Sequence, residues 1–273
     1  MIHHTENETT TKVGQAIATV ISDSVNSGEN ITTLELVYPR YIHAELLTHR
    51  MFSRNSSSSR ATPLKVMLEE VRNDPVFFDY IGKDQAGMVA GEQLSEAEVK
   101  AFEKVWHELA RAMAFAVEDV HKNHRIHKQT LNRLLEPFSR IRTLVTATEW
   151  DNFFKLRLAP DAQPEMQSLA KAMKGAMEKS KPKERKWHVP YLEKEHYTEE
   201  DLMVSVARCA RVSYARLDGR NDSVAEDVAL AKRLLDSGHS SPFEHIAKAS
   251  GVWSANFFGW VSYRKIIELG LSL

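Results

Sequence analysis

The chain is organised around the stretch Glu45-Leu-Leu-Thr-His-Arg-Met-Phe-Ser-Arg-Asn-Ser-Ser-Ser-Ser-Arg-Ala-Thr-Pro63. Between His49 and Arg60 this stretch holds three arginines, one histidine and five serines, and no carboxylate. Guanidinium groups pair with phosphate through two hydrogen bonds, and serine hydroxyls can fill the remaining acceptor sites. The composition therefore predicts an anion-binding loop. A solvated serine-rich loop is the alternative interpretation, although the arginines recur regularly after an apolar helical pattern.

The residues before this stretch predict a strand followed by a helix. Residues 31–38 alternate and are rich in β-branched side chains, which is typical of a strand. Pro39 ends the strand and suits the first turn of a helix. A helix over residues 40–50 would direct the serine-rich stretch toward whatever lies beyond the helix end. Further upstream, residues 16–25 are expected to form a short amphipathic helix in a polar lead-in.

The clearest helix begins at Ser95, where Glu98 completes a capping box, and continues to about residue 123. Its apolar side chains recur at helical spacing and are predicted to lie in the core: Val99, Phe102, Val105, Trp106, Leu109, Met113, Ala116 and Val120. Shorter helices are predicted over residues 64–71, over residues 165–177, after Thr198, and over residues 224–237 with Gly238 following. Residues 179–200 are polar and aperiodic, which indicates a linker or an arm extended over the surface.

Composition excludes several classes of protein. The 273 residues include 36 basic and 37 acidic side chains, so no global positive field favours nucleic acid. The sequence has no run of about 18 apolar residues, so no membrane span is expected. Residues 1–8 do not resemble a secretory signal, and a single cysteine suits a reducing compartment. A cytoplasmic protein is expected.

A single cysteine and a group of three histidines could suggest catalysis or metal binding, but their sequence surroundings favour a structural interpretation. Cys209 lies on an apolar helical stripe without a neighbouring histidine, so a buried structural thiol is predicted. His121, His124 and His127 are spaced by three, without an intervening carboxylate and among basic residues. No metal site is predicted there.

Three separated segments resemble the flavin-dependent thymidylate synthase family. The first combines His49-Arg50 with the serines and Arg60, and the second is Leu156-Arg157 followed by Ala162-Gln163 and Glu165. The third comprises Ala210-Arg211-Val212-Ser213 and Ser240-Ser241-Pro242-Phe243-Glu244-His245. The resemblance implies an α+β fold with a mixed or antiparallel sheet and a substantial helical half. It also implies a single domain over residues 1–273, divided into 31–178, a linker at 179–200, and a permuted segment at 201–273.

The segments stand in an unusual order. In common members of that family the Ala-Arg-Val-Ser and Phe-Glu-His segments precede the strand, the helix and the arginine-rich loop, whereas here they follow them. The chain therefore resembles a circularly permuted or rearranged variant, of a kind associated with bacteriophages. Three residues also depart from the family motif: Glu45 replaces a glutamine, Thr48 an arginine, and Ser56 a glutamate.

The resemblance implies a set of site residues. Those expected to bind dUMP are Glu45, Ser57, Ser58, Ser59, Arg60, Arg133 and Arg157. Those expected to bind FAD are His49, Arg50, Ser53, Asn152, Ser213 and His245. Arg157 is the expected catalytic residue, because it would stabilise negative charge on the uracil, and in this family the arginine at the position of Arg133 comes from a neighbouring subunit.

The implied reaction transfers a one-carbon unit from methylenetetrahydrofolate to dUMP and reduces it with a flavin hydride, NADPH recharging the FAD. The implied partners are therefore small molecules, with a homotetramer as the expected assembly and neither nucleic acid nor membrane. The three motif departures leave open a related enzyme that makes a hydroxymethylated or otherwise modified pyrimidine nucleotide. A non-catalytic nucleotide-binding protein is a second alternative.

Overall fold

A mostly antiparallel sheet lies at the centre of the computed structural model, which describes residues 7–213 and 223–271. Its strands are β1 (Thr10–Val13), β2 (Ala16–Asn26), β3 (Glu29–Pro39), β4 (Ser53–Ser56), β5 (Arg140–Ala147) and β6 (Lys183–Glu184). The order is β1-β2-β3-β5-β4, and β6 pairs with β2 in parallel, so the predicted mixed sheet is confirmed. Residues 1–6, which include most of the segment judged not to be a signal, lie outside the described residues.

The helix predicted over residues 16–25 is wrong, because these residues form β2. β2 and β3 make a hairpin whose turn contains Ser27 and Gly28, both with positive φ (52° and 88°). Such a turn matches the twist of paired strands. The β-branched residues of β2 and this turn were the sequence signal for a strand. The strand predicted over residues 31–38 is confirmed within β3.

The helices are α1 (His43–Leu47), α2 (Leu64–Asn73), α3 (Glu96–His124), α4 (Lys128–Leu135), α5 (Asp151–Arg157), α6 (Pro164–Lys179), α7 (Glu199–Arg211), α8 (Val224–Asp236) and α9 (Tyr263–Glu268). The helix predicted over residues 40–50 is shorter than expected, because a 3-10 turn occupies Arg40–Ile42 before α1. α3 begins with the predicted capping box at Ser95, and α7 begins at the predicted cap Thr198, where Asp201 also completes a capping box. None of the helices within the described ranges is long and apolar enough to cross a lipid bilayer.

The two faces of the sheet pack against different helices. α6 covers one face and packs mainly against β1 and β2, and its Met166, Leu169 and Met173 belong to the same apolar cluster as side chains of β3 and β5. α7 and α8 cover the other face, where Leu144 of β5 joins their apolar side chains. α2, α3 and α4 form a separate apolar cluster. The α+β class with a substantial helical part is therefore confirmed.

Residues 179–200 cross the surface as an arm, but they are not a free linker. They contribute β6 to the central sheet and β7 (Trp187–His188) to a second sheet. In that sheet β7 pairs with β8 (Ala247–Ser254), and β8 pairs with β9 (Phe257–Ser262). His188 is fully buried, so the arm is anchored in the interior. The strands β6 and β7 were not predicted, because they are short and the residues around them are polar.

The apolar stripe assigned to the core of α3 is only partly buried. The side chains of Phe102, Val105 and Leu109 are exposed, and so is Ala116. The buried face of α3 carries Ala110, Ala114 and Val117 instead. Helical spacing reveals an apolar face without revealing what covers it, and α3 is apolar on two sides.

Candidate functional site

Arg54 fixes the turn between α1 and β4. Its Nη1 donates to the carbonyl oxygens of Leu47 at 2.7 Å and of His49 at 3.0 Å. The His49 ring is buried against Phe52 and Phe153, with ring centroids 5.8 and 4.8 Å away. Arg54 therefore holds the backbone, and His49 keeps one ring orientation.

Arg157, at the end of α5, contacts the end of α1 through three hydrogen bonds. Its Nε donates to Nε2 of His49 at 2.9 Å, and its Nη2 to Oγ1 of Thr48 at 3.1 Å and to the carbonyl of Glu45 at 3.4 Å. Burial, then the charges of Arg157 and Arg54, lower the pKa of His49 to about 4. His49 is therefore neutral at pH 7 and accepts from Arg157. The structure thus brings together the predicted catalytic arginine and a predicted flavin contact.

Ser57 continues the edge of the sheet. Its N–H donates to the Arg142 carbonyl at 2.8 Å, and its Oγ accepts from the Arg142 N–H at 3.0 Å. Beyond it, the Ser58 carbonyl accepts from the Ala61 N–H at 3.0 Å and closes a turn. The Ser57 hydroxyl, predicted to bind substrate, is therefore engaged with the backbone of β5.

α4 holds the other side of the serine loop through Asn132, which sequence reasoning did not single out. Its Nδ2 donates to the carbonyl oxygens of Ser59 at 2.7 Å and Thr62 at 2.9 Å. Asn132 Oδ1 and Ser59 Oγ are buried and have no partner within the described residues. Buried polar atoms without partners are costly, so this pair has the hydrogen-bonding capacity that a bound ligand would use.

Arg60 and Arg133 lie on the surface next to this loop. Arg60 is exposed and forms no hydrogen bond or ion pair within the described ranges. Arg133 donates from Nη1 to Glu136 at 2.9 Å, with its side chain 57% exposed. Neither arginine is buried in the core, and the side chains of both are accessible to an anion.

The C-terminal motifs pack against β4. Ser213 Oγ donates to Asn55 Oδ1 at 3.0 Å and to the Ser56 carbonyl at 2.9 Å. Asn256 Nδ2 donates to Ser53 Oγ at 2.9 Å. Ser53 and Ser213, both predicted to contact FAD, therefore have protein partners and hold the C-terminal segment on the strand.

The remaining predicted flavin contacts differ in environment. His245 is fully buried, with Nδ1 2.8 Å from Thr146 Oγ1 and with Nε2 lacking any partner among the described residues. Burial lowers its pKa to about 3, so the ring is neutral. Arg50 and Asn152 are exposed and make no polar contact within the described part of the chain.

Cys209 and the histidines of the α3 end take no part in this site. Cys209 is fully buried, as predicted, and burial raises the pKa of its thiol. No group of three or more His, Cys, Asp or Glu side chains in the part of the chain that the structure describes is arranged to hold a metal ion.

A buried ion pair beside Ser57 was also missed. Arg142 Nη2 donates to Oε2 of Glu35, and the Tyr191 hydroxyl donates to the same oxygen at 2.7 Å. The Glu35 side chain is fully buried. The pair joins β3 and β5 to the arm of residues 179–200. Its only sequence signal was a charged residue among apolar neighbours in each of two strands.

These contacts define a candidate site on an α+β scaffold, with exposed arginines beside a serine-rich loop. The family model for thymidylate synthase complementing protein (Thy1) matches residues 29–183, more than half of the chain. The chain belongs to this family. The match includes the serine loop and Arg157 and ends before the C-terminal motifs. No curated protein sequence matches the chain significantly.

Two solved structures resemble the chain at low sequence identity. The UMP/dUMP methylase PolB from Streptomyces cacaoi, bound with 5-Br UMP, is 14% identical, with a TM-score of 0.51 over 60% of this chain and 89% of that chain. Thymidylate Synthase X (ThyX) from Helicobacter pylori, with FAD and dUMP, is 21% identical, with a TM-score of 0.36 over 54% of this chain and 67% of that chain. The first likeness supports the fold, and the second has too low a TM-score to carry an argument.

Proposed function

We propose that the chain is a flavin-dependent thymidylate synthase that converts dUMP to dTMP, with methylenetetrahydrofolate as carbon donor and NADPH as reductant. The observation that carries this proposal is the cluster around Arg157. Its Nε and Nη2 are held by His49, Thr48 and Glu45, while its Nη1 donates to none of the described residues. A guanidinium held in this way presents a fixed donor to a substrate oxygen.

The nucleotide phosphate is assigned to the serine loop. Ser58, Ser59 and Arg60 supply hydroxyl and guanidinium donors, and Ser59 Oγ is buried without a partner in the described residues. Exposed Arg133, from α4, adds a second positive charge at the surface of the loop, for its own site or for that of a neighbouring subunit. Charge-assisted contacts of this kind favour phosphate over neutral ligands.

The residues fit FAD in part. His245 offers an unpartnered buried ring nitrogen, and Arg50 and Asn152 offer exposed polar groups. Ser53 and Ser213 would shape the pocket through the strand that they hold. A bound flavin supplies the hydride and electron transfer, and the protein binds and orients it.

Flavin content and product identity test the proposal. Purified protein is expected to absorb at about 450 nm as a bound oxidised flavin does. With dUMP, methylenetetrahydrofolate and NADPH, mass spectrometry should then show dTMP, and omission of NADPH serves as the control. Protein that binds dUMP but neither holds FAD nor turns over would instead be a non-catalytic nucleotide-binding protein.

A second candidate function follows from Thr48. This residue replaces an arginine of the family motif and contacts Arg157 directly, so the departure lies inside the proposed site. A hydroxymethylated or otherwise modified pyrimidine nucleotide is the alternative product. Parallel reactions with dUMP and dCMP distinguish the two, because a 5-hydroxymethyl product contradicts the thymidylate assignment.

We also propose a homo-oligomer assembled through α3. Phe102, Val105 and Leu109, with Ala112 and Ala116, form one exposed apolar stripe along this 29-residue helix. A stripe of this length is typical of a helix that packs on another helix. A second copy of the chain is the proposed partner, in agreement with the tetramer that the family resemblance implies.

Leu109→Glu is expected to reduce the mass in solution toward the 31.1 kDa of one chain. The buried carboxylate would have no partner in a helix–helix interface. Size-exclusion chromatography with light scattering measures the effect, and Lys104→Glu, an exposed position on another face of α3, is the matched control. A wild-type monomer, or a variant of unchanged mass, would contradict the assignment.

A further inference from the structure

A buried chain of hydrogen bonds crosses the sheet from His245 to the arm. His245 Nδ1 lies 2.8 Å from Thr146 Oγ1, which lies 2.7 Å from Thr33 Oγ1. Thr33 Oγ1 lies 2.7 Å from His188 Nε2, and His188 Nδ1 lies 2.9 Å from Ser24 Oγ. Four of the five residues are fully buried, and Ser24 is 2% exposed. These distances are those of normal hydrogen bonds throughout.

The two ends of this chain differ. At one end, His245 Nε2 is buried and has no partner in the described residues. At the other end, Ser24 lines an open cavity of about 550 Å³, together with Ser22, whose Oγ lies 3.4 Å from His188 Nδ1. Lys181 and Lys183 also line this cavity, which is open to solvent. The chain therefore runs from a candidate cofactor contact to water.

Both rings are neutral, which restricts how protons are arranged. Burial lowers the pKa of His188 and of His245 to about 3. A neutral imidazole has one N–H donor and one acceptor nitrogen, and each threonine hydroxyl has one proton to donate. If Thr33 and Thr146 each donated to a ring, no proton would lie between their oxygens. If both rings donated inward, one hydroxyl proton would lack an acceptor.

The arrangement that satisfies every link therefore gives both rings the same tautomer. With N–H at Nδ1 in both rings, every proton points from His245 toward Ser24. With N–H at Nε2 in both rings, every proton points the opposite way. The state of His188 thus determines whether Nε2 of His245 offers a donor or an acceptor.

We propose that Thr146, Thr33, His188 and Ser24 form a proton relay between Nε2 of His245 and the cavity. When a proton reaches His245 Nε2, the Nδ1 proton moves to Thr146 Oγ1, and the Thr146 proton moves to Thr33. The Thr33 proton moves to His188 Nε2, the His188 Nδ1 proton moves to Ser24, and the Ser24 proton passes to water. One proton enters and one leaves, and both rings remain neutral while their tautomers switch.

The inference rests on the proposed function, because the proton that the relay would carry comes from the proposed reaction. The C5 hydrogen of dUMP leaves as a proton when the new carbon–carbon bond forms, and the folate nitrogens take protons up as tetrahydrofolate forms. The turnover therefore releases no net proton, and the relay would carry the C5 proton away from the site. A network that served only to fasten the sheet to the arm would show the same matched tautomers but would not affect the loss of the C5 hydrogen, whereas the relay would. The structural role and the relay therefore make different predictions.

The test compares Thr33→Val, which removes the hydroxyl at nearly constant shape, with Thr33→Ser, which keeps it. The full chain, without flavin or nucleotide, is labelled with ¹⁵N at histidine and studied by NMR. In wild type and in Thr33→Ser, His188 and His245 should have the same tautomer as each other. In Thr33→Val the hydrogen bonds between the rings are interrupted, so the tautomer of one ring no longer determines that of the other. Opposite tautomers in the wild-type protein overturn the relay.

The rate at which dUMP loses its C5 hydrogen in a single turnover supplies the second measurement. Thr33→Val is expected to slow this loss by about a hundredfold, as for loss of a positioned proton-transfer group, while Thr33→Ser remains close to wild type. Equal rates in the two variants overturn the proposal. If Thr33→Val does not fold, Thr146→Val breaks the adjacent link. The ring tautomers need no turnover, so a chain with matched rings that makes no dTMP contradicts the proposed function and leaves the hydrogen-bonded path of the relay in place.

Discussion

Arg157→Lys is expected to lower kcat for dTMP formation by about 100- to 1,000-fold, the range for loss of one donor to developing negative charge. The arginine uses Nε and Nη2 to contact His49 and Thr48, which leaves Nη1 for the substrate. A lysine ammonium cannot keep those contacts and also present a planar donor to the uracil. Steady-state kinetics at saturating dUMP measure the change.

Lys155→Met is the matched control, because Lys155 is an exposed residue of the same helix. It should turn over at close to the wild-type rate. Circular dichroism and thermal unfolding should show that Arg157→Lys remains folded. A folded Arg157→Lys variant with undiminished kcat would remove Arg157 from the catalytic machinery.

Arg142→Met is expected to lower the free energy of unfolding by about 3–5 kcal/mol, because it removes a positive charge that a buried carboxylate contacts directly. Glu35 is fully buried, and its Oε2 accepts from both Arg142 and the Tyr191 hydroxyl. In a chain of this size the midpoint of thermal unfolding should fall by about 10 °C. Urea unfolding at fixed protein concentration measures the free energy.

The double variant Glu35→Leu/Arg142→Met isolates the cause. Replacing both charges with apolar side chains should restore most of the lost stability, because no uncompensated charge remains. Arg133→Met breaks an exposed ion pair with Glu136 and should cost less than about 1 kcal/mol. A double variant as unstable as Arg142→Met would show that packing, not charge, dominates at this position.

Elements with strong local signals could be predicted from the sequence. The capping box at Ser95 and the β-branched residues of β3 specify their own conformations within a few residues. β2 was missed because its pattern was read without the Ser27-Gly28 turn that pairs it with β3. The outer face of α3 was assigned to the core because periodicity does not distinguish a core partner from a second chain.

The candidate site depends on contacts between distant parts of the chain. The motif resemblance identified His49 and Arg157, but their direct hydrogen bond joins residues 108 positions apart and follows only from the fold. Asn132 and Glu35 carried no motif, and their importance comes from burial and from the atoms that they face. The roles assigned to the serine loop and to His245 remain predictions for the experiments above.

The contacts of β4 show that the segment matched by the family model depends on residues outside it. β4 is the edge strand of the central sheet, and Ser213 and Asn256 hold it from beyond the end of the family match at residue 183. The segment that the family model matches is therefore smaller than the set of residues whose contacts hold β4 in place. A recombination that exchanged residues 29–183 alone would have to preserve the surface that Ser213 and Asn256 recognise, so the two halves are expected to evolve as a pair.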